Sequence, residues 1–346
     1  MSRYVDRVRS AVVPLTALSQ QILGDLDMDH GGVSWWCDAL SPPCNILISD
    51  YLLGLADSTE GNLAEAAMHA QLARELWYAD GYERRNQDWT QPYPRGDRAQ
   101  NRRVESAAHV GGFFRALGSV LDNCAGIVIG VAGLSCDIVR ADILQLRLAR
   151  AAPTGALPEG NPGRAEQIAL TNAVRSAVDT SPPGWLDWIL GMRNTLVHRA
   201  RRLNWELQDD RRADRIRRPF PRNPDQTHTE SLARASSLVS DLLQEDATDT
   251  IDASLLIAVS LVRNTATAAS ALWQRRRGDP DLIVQPVKQW PRVARGAVTN
   301  FSGFQPTPAL ETGTVMFNPD TAKRFEAAQL LDGARDKWAT WMAAEQ

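Results

Sequence analysis

The chain has 346 residues, 44% of them hydrophobic and 23% charged, and a formal net charge of −3. This length and balance fit one large or two ordinary globular domains and exclude a disordered or collagen-like chain. A polycation is excluded as well, so any grip on nucleic acid must come from a local patch.

In chain order, residues 4–23, broken near Pro14, and 61–80, with Asn62 as its cap, read as helices. The stretch between them is loop-rich. Trp35, Trp36, Pro42 and Pro43 order it, and a short helix is expected over Asn45–Leu55. The turn-rich stretch Asp88–Gly96 then closes an N-terminal helical extension, residues 1–97. Cys37, Cys44, Cys124 and Cys136 have no close paired spacing, which fits a reducing cytoplasm and suggests neither a zinc module nor a disulfide framework. Asp27, Asp29, His30, Cys37 and Cys44 are ligand types without a recognised spacing and read as loop residues; no metal and no cofactor is expected. The run Ala11–Leu18 is interrupted by Pro14 and Thr16, a poor signal-peptide core, and the longest apolar stretch, Ala125–Leu134, falls short of the roughly 20 residues that cross a bilayer. No membrane association is expected.

A helix from about 100 to 123 continues into Gly-Ile-Val-Ile-Gly-Val-Ala-Gly, where Gly126 and Gly130 bare one face for close packing. Residues 136–150 and 164–178 read as two more helices, separated by the Pro/Gly-rich link Ala152–Gly163. Ser181-Pro182-Pro183 then stops one helix and starts the next. Together these make an all-α bundle over residues 98–210. The C-terminal part, 211–346, opens with Arg211–Arg222, six Arg in twelve residues. Helices near 229–246 and 252–276 follow, then a Pro/Gly-rich stretch, 281–317, in which a short hairpin is expected. A last helix, 320–343, carries Phe325, Leu330, Trp338 and Trp341 for docking or dimerisation.

The stretch from Pro183 to Trp205 carries the chemistry. Trp185, Trp188, Ile189, Met192 and Leu196 recur at spacings of three and four and give the helix a buried stripe. At about 100° per residue, Asn194 and His198 share the opposite face with Arg193 at its edge, and Arg201 and Arg202 extend that face by one turn. Arginine offers phosphate a permanently charged planar fork, and histidine exchanges protons near neutral pH, so the trio suits phosphodiester chemistry. On residue types alone a solvated charged rim is the commoner outcome. The bare spacing also recurs by chance: five His and 35 Arg predict roughly 1.5 random matches to Arg-x(4–6)-His. Arg102 and Arg103 before His109, and Arg222-Asn223 before His228, are such matches, the last bracketed by Pro221 and Pro224 as in a loop. Only Arg193 to His198 adds the Asn after Arg, an unbroken helical pattern and an apolar stripe.

This stretch resembles the HEPN family, all-α nucleotide-associated domains whose signature is Arg-(polar, often Asn)-x(3–5)-His on a late helix of the bundle. The resemblance covers the 23 residues 183–205 well and 100–210 in layout. It implies a HEPN-like bundle with N- and C-terminal helical extensions, and a metal-independent endoribonuclease acting as a homodimer, often a toxin or phage-defence effector. Arg193 and His198 match the family's catalytic pair and Asn194 its polar residue; Ala200 stands where many toxins of the family have Tyr. The expected partners are RNA, a second copy of the chain, and an antitoxin or defence-system protein. Arg201, Arg202, Arg211, Arg212, Arg215, Arg217 and Arg218 lie close enough in sequence to the motif to contact an RNA backbone. The alternative is a non-catalytic helical module that binds nucleotide, nucleic acid or a protein with the same surface.

Overall fold

The computed structural model describes residues 4–27, 35–36, 42–85, 96–198, 206–209, 212–225, 238–284 and 319–327. The fold is all-α. Its helices among the described residues are α1 (Tyr4–Asp25), α2 (Pro42–Arg85), α3 (Asp97–Ala132), α4 (Pro162–Asp179), α5 (Trp185–His198), α6 (Ala247–Gly278) and α7 (Pro319–Ala327). One small antiparallel ribbon joins them, β1 (Leu207–Asp209) on β2 (Arg212–Arg217), with Leu207 opposite Arg217 and a register irregularity after Gln208.

Several helices run on where the sequence pattern suggests a break. α1 continues through Pro14 because its stripe Val8, Ala11, Leu15, Leu18 and Ile22 is fully buried against α2 and α6. Burying such side chains is worth about 1.5–3 kcal/mol each, enough to outweigh the roughly 3 kcal/mol that an interior proline costs. α2 is one 44-residue helix, so the loop expected before residue 61 and the cap at Asn62 are both absent. Leu52, Ala56, Leu63, Ala66 and Ala70 carry its buried face straight past Gly54 and Gly61. The Thr59 hydroxyl donates to the Leu55 carbonyl at 2.7 Å within that face.

α2 and α3 form a long antiparallel hairpin, pinned at one end by the Arg102–Glu83 ion pair and at the other by Leu55 and Leu52. Those two leucines fill the gaps over Gly126 and Gly130, the close approach that the glycine spacing predicts. A single hydrophobic cluster draws on α1 through α6, so the expected segments 1–97, 98–210 and 211–346 share one core. α6 packs against α1, α2, α3 and α4. Its Asp252 ties Arg7 of α1, at 2.5 Å, to Arg74 of α2. Near the end of α1, Trp35 and Trp273 meet edge to face at 5.0 Å, and their indole N–H groups donate to the Asp25 carbonyl and carboxylate, both at 2.9 Å.

The expected helix over 136–150 is replaced by two short 3₁₀ turns, Ile138–Arg140 and Ile143–Leu146. Asp137 and Asp142 each accept a hydrogen bond from the backbone two residues on, a local competitor that ends regular helix. Gln167 of α4 is fully buried and donates to the Ala132 carbonyl at 2.9 Å, which satisfies the end of α3. Residues 238–241 form a 3₁₀ turn rather than the end of a helix reaching 246; 226–237 and 285–318, with the expected hairpin, lie outside the described residues, as does the last helix beyond Ala327. α3 and α6 are long and apolar enough to cross a bilayer by length and composition, a longer match than the run Ala125–Leu134 suggests. The α3 window is 78% buried inside the protein, and the α6 window 50%.

Candidate functional site

α5 is held in place by its aromatic stripe. Trp185 donates its indole N–H to the Ser254 hydroxyl of α6 at 3.2 Å, and Trp188 donates to the Pro221 carbonyl at 2.9 Å. Trp188, Phe114 and Phe220 form a trio with centroid separations of 5.5–6.0 Å. Segment 218–225 therefore straps the helix. Thr195, buried, donates to the Pro224 carbonyl at 3.0 Å, and Pro224 lies over Gly191. The prolines that argue for a loop at Arg222-Asn223 thus act as clamps on the neighbouring motif helix.

The polar side of α5 meets α3. Arg193 lays its side chain across Gly118, where a Cβ would collide with its Cδ, and donates from Nη1 to Oδ2 of Asp122 at 2.5 Å. Its Nε donates to Oδ1 of the exposed Asn194 at 3.3 Å. About a quarter of each of the Arg193 and Asp122 side chains remains accessible. Burial pushes the Asp122 carboxyl above its ordinary range, and the adjoining Arg193 guanidinium and the Ile143 N–H pull it back. The result is a guanidinium fixed along one edge, with Nη2 bonded to nothing among the described residues. Arg193 and Asn194 are therefore brought together. His198 ends α5 one turn beyond Asn194, and its side chain lies outside the described residues.

No family model, curated protein or solved structure matches the chain. Local chemistry alone must carry a functional reading.

The arginines of the basic run whose side chains are described contact protein. Arg201, Arg202 and Arg211 lie outside the described residues, and Arg212 and Arg215 stand on β2 with undescribed side chains. Arg218 is built into the fold, paired with Asp80 of α2 at 2.6 Å and with Glu206 at 3.2 Å, each partner less than a fifth exposed. Arg217 donates to the Gln244 carbonyl at 2.7 Å. Both make protein contacts in this structure.

Asp122 and Gly118 were missed by the sequence reading. A signal for Asp122 exists: it is the sole acidic residue from Ser106 to Cys136. A lone carboxylate in the apolar half of a core helix calls for a partner. Among the described residues no cluster of three or more His, Cys, Asp and Glu is arranged to hold a metal ion. Cys124 and Cys136 are free and buried, and burial pushes the Cys124 thiol up to about 12, so it is an inert packing group. Asp29, His30 and Cys37 lie outside the described residues.

Proposed function

We propose that the chain is a metal-independent endoribonuclease of the HEPN kind, with Arg193, Asn194 and His198 as its active residues. The observation that carries this reading is the seating of Arg193, which Gly118 and Asp122 hold in one orientation with an outer edge left to grip a phosphate. A pre-oriented donor stabilises developing charge without reorganising during the reaction. In the proposed reaction, His198 takes the proton of a ribose 2′-OH as that oxygen attacks phosphorus, and the resulting imidazolium returns it to O5′ as the P–O5′ bond breaks. Arg193 offsets the charge on the phosphorane-like transition state and Asn194 positions the phosphate. Asp122 is a positioning residue acting through Arg193. A homodimer that faces two motif helices toward each other would double the Arg and His count. The resemblance extends the proposal to a toxin or phage-defence role with a protein partner that controls activity.

The test is cleavage of single-stranded RNA in EDTA. His198→Ala is expected to cost about 10²–10⁴ in rate and Arg193→Ala about 10²–10³, with 2′,3′-cyclic phosphate ends from the parent protein. His228→Ala should leave the rate unchanged. Cleavage that survives loss of His198 overturns the proposal.

A second reading, a non-catalytic module for nucleotide, nucleic acid or a partner protein, is favoured by one observation. The Arg193–Asp122 pair is already neutralised by its own ion pair. RNA binding without cleavage by the purified protein would select it.

A further inference from the structure

Two of the five histidines of the chain meet across the α2–α3 hairpin. The Nδ1 atoms of His69 and His109 face each other at 2.9 Å, with ring centroids at 5.1 Å. That is the separation of an N–H···N hydrogen bond. Such a bond needs one ring to donate from Nδ1 and the other to accept with a bare lone pair, whichever ring does which. His69 has little freedom to swing away, because its ring rests on Gly112 of α3, where a Cβ would collide with it, and only 14% of its side chain is exposed. A nitrogen that loses its partner there has little access to water instead.

The neutral pair holds one Nδ1–H. A first added proton goes to Nε2 of the donor ring, and the bond persists as a charge-assisted one. A second must go to the accepting Nδ1, which ends the bond and sets two cationic rings face to face. Glu65 of α2 and Arg115 of α3 are the charged groups that act on His69, and they pair with each other across the hairpin at 2.6 Å. The same Glu65 oxygen lies 3.4 Å from Nε2 of His69, a contact that becomes an ion pair only when the ring is charged. Burial is the largest influence on the His69 pKa and lowers it; Glu65 raises it and His109 and Arg115 lower it further, for a net decrease. The contribution of the neutral ring to stability is therefore fully present above about pH 6.5, the ordinary value, and falls away as pH drops below it toward the lower folded value.

We propose that His69 and His109 form a proton-operated clasp between α2 and α3, closed while the rings share a single Nδ1–H and released in mild acid when both Nδ1 atoms are protonated. A charged His69 then competes with Arg115 for Glu65. Since Glu65 and His69 belong to the same helix, that exchange trades a link across the hairpin for one within α2, and both cross-hairpin contacts loosen together. The clasp is separate from Arg193 and independent of the ribonuclease reading.

The test is nuclear magnetic resonance of the imidazole nitrogens in the full-length protein from about pH 7.5 to about pH 5, with melting curves and hydrogen exchange over the same range. At neutral pH the parent should show one Nδ1–H coupled to both His69 and His109, and the coupling should vanish in acid. The His69→Asn/His109→Asn double variant cannot take up these protons. Across the range the parent's melting temperature should fall by about 2 °C or more beyond that of the double variant. Protection of the amides around residues 69 and 109, corrected for intrinsic exchange, should fall about tenfold in the parent and hold in the variant. Glu65→Gln removes the group that raises the His69 pKa and should deepen the acid loss, whereas His30→Ala and His228→Ala should keep the parent's profile. A parent without a shared Nδ1–H at neutral pH overturns the proposal and needs no variant. Equal acid loss in the parent and the double variant overturns it as well, and leaves the pair a static hydrogen bond.

Discussion

α3 offers its neighbours four glycine gaps, and the two halves of the helix fill them with different chemistry. Toward its C-terminus, Gly126 and Gly130 receive Leu55 and Leu52, whereas Gly112 and Gly118 receive the His69 ring and the Arg193 side chain. Missing Cβ atoms let another element approach closely in both cases. What enters depends on depth. Residues around Gly126 and Gly130 are closed off from solvent, so only apolar side chains go there without an uncompensated polar group. Around Gly112 and Gly118 solvent reaches Arg115 and, in part, Arg193, so polar groups sit half in water while the helix fixes their direction. The same small-residue device makes a core contact at one end and a positioned polar group at the other.

The largest effects should come from filling those gaps. Gly118→Ala displaces Arg193 from Asp122, and RNA cleavage is expected to fall by about 10²-fold, close to the loss of the Arg193 side chain itself. Gly112→Ala moves the His69 ring instead and should leave cleavage at the parent rate. Cleavage kinetics on both variants check the difference. If both variants lose cleavage alike, the gaps serve general packing and the distinction fails. Gly126→Ala should cost about 1–3 kcal/mol by overpacking against Leu55, read by denaturant unfolding, with cleavage retained.

Arg218→Ala should destabilise by about 1–3 kcal/mol while RNA affinity and its salt dependence stay unchanged. It deprives Asp80 and Glu206 of a counter-ion in a partly buried site, and a charge pair open to solvent is worth less than a sealed one. A shallower slope of log affinity against log salt would return the residue to the RNA surface.

A pH effect separates Asp122 from its partner. Its folded pKa lies above the ordinary carboxylate value, so its contribution to stability is greatest below that value and declines as pH rises through the folded pKa. Removing Arg193 removes the attraction that moderates the rise. Arg193→Ala should therefore lose stability relative to the parent as pH climbs from about 4 toward 7, and melting curves across that range check it. The smallest change is expected for Asp122→Asn, which removes a disfavoured charge while keeping a hydrogen-bond acceptor. Its stability should stay within about 1 kcal/mol of the parent, with cleavage reduced because Arg193 is less firmly held. Unchanged kcat in a well-folded Asp122→Asn protein would dissociate Asp122 from the chemistry.

Much of this was legible in the sequence where local pattern and burial agree. The stop and start at Ser181-Pro182-Pro183, the helices at α4 and α6, and the close packing at Gly126 and Gly130 all follow from periodicity and turn residues. The misses have different causes. Pro14, Gly54 and Gly61 are breakers in isolation, but the apolar faces on both sides of each are buried, and tertiary packing overrides propensity. At 136–150 the opposite holds, because Asp137 and Asp142 bind their own backbone and no continuous face rewards a helix. Arg218 reads as one more charge in a basic run until Asp80, 138 positions away, is placed beside it.

By itself the sequence determined the helical class, the buried stripe of α5 and the placing of Arg193, Asn194 and His198 within one turn or so of each other, because these depend only on spacing along a 3.6-residue helix. Tertiary structure decided which of those groups is held and by what. Asp122 beside Arg193 and His109 beside His69 are separated by 71 and 40 residues, and only the packing of α3 against α5 and α2 brings them together. An ion pair or a shared proton acts over a few ångströms, and no pattern along one chain segment encodes a distance to another.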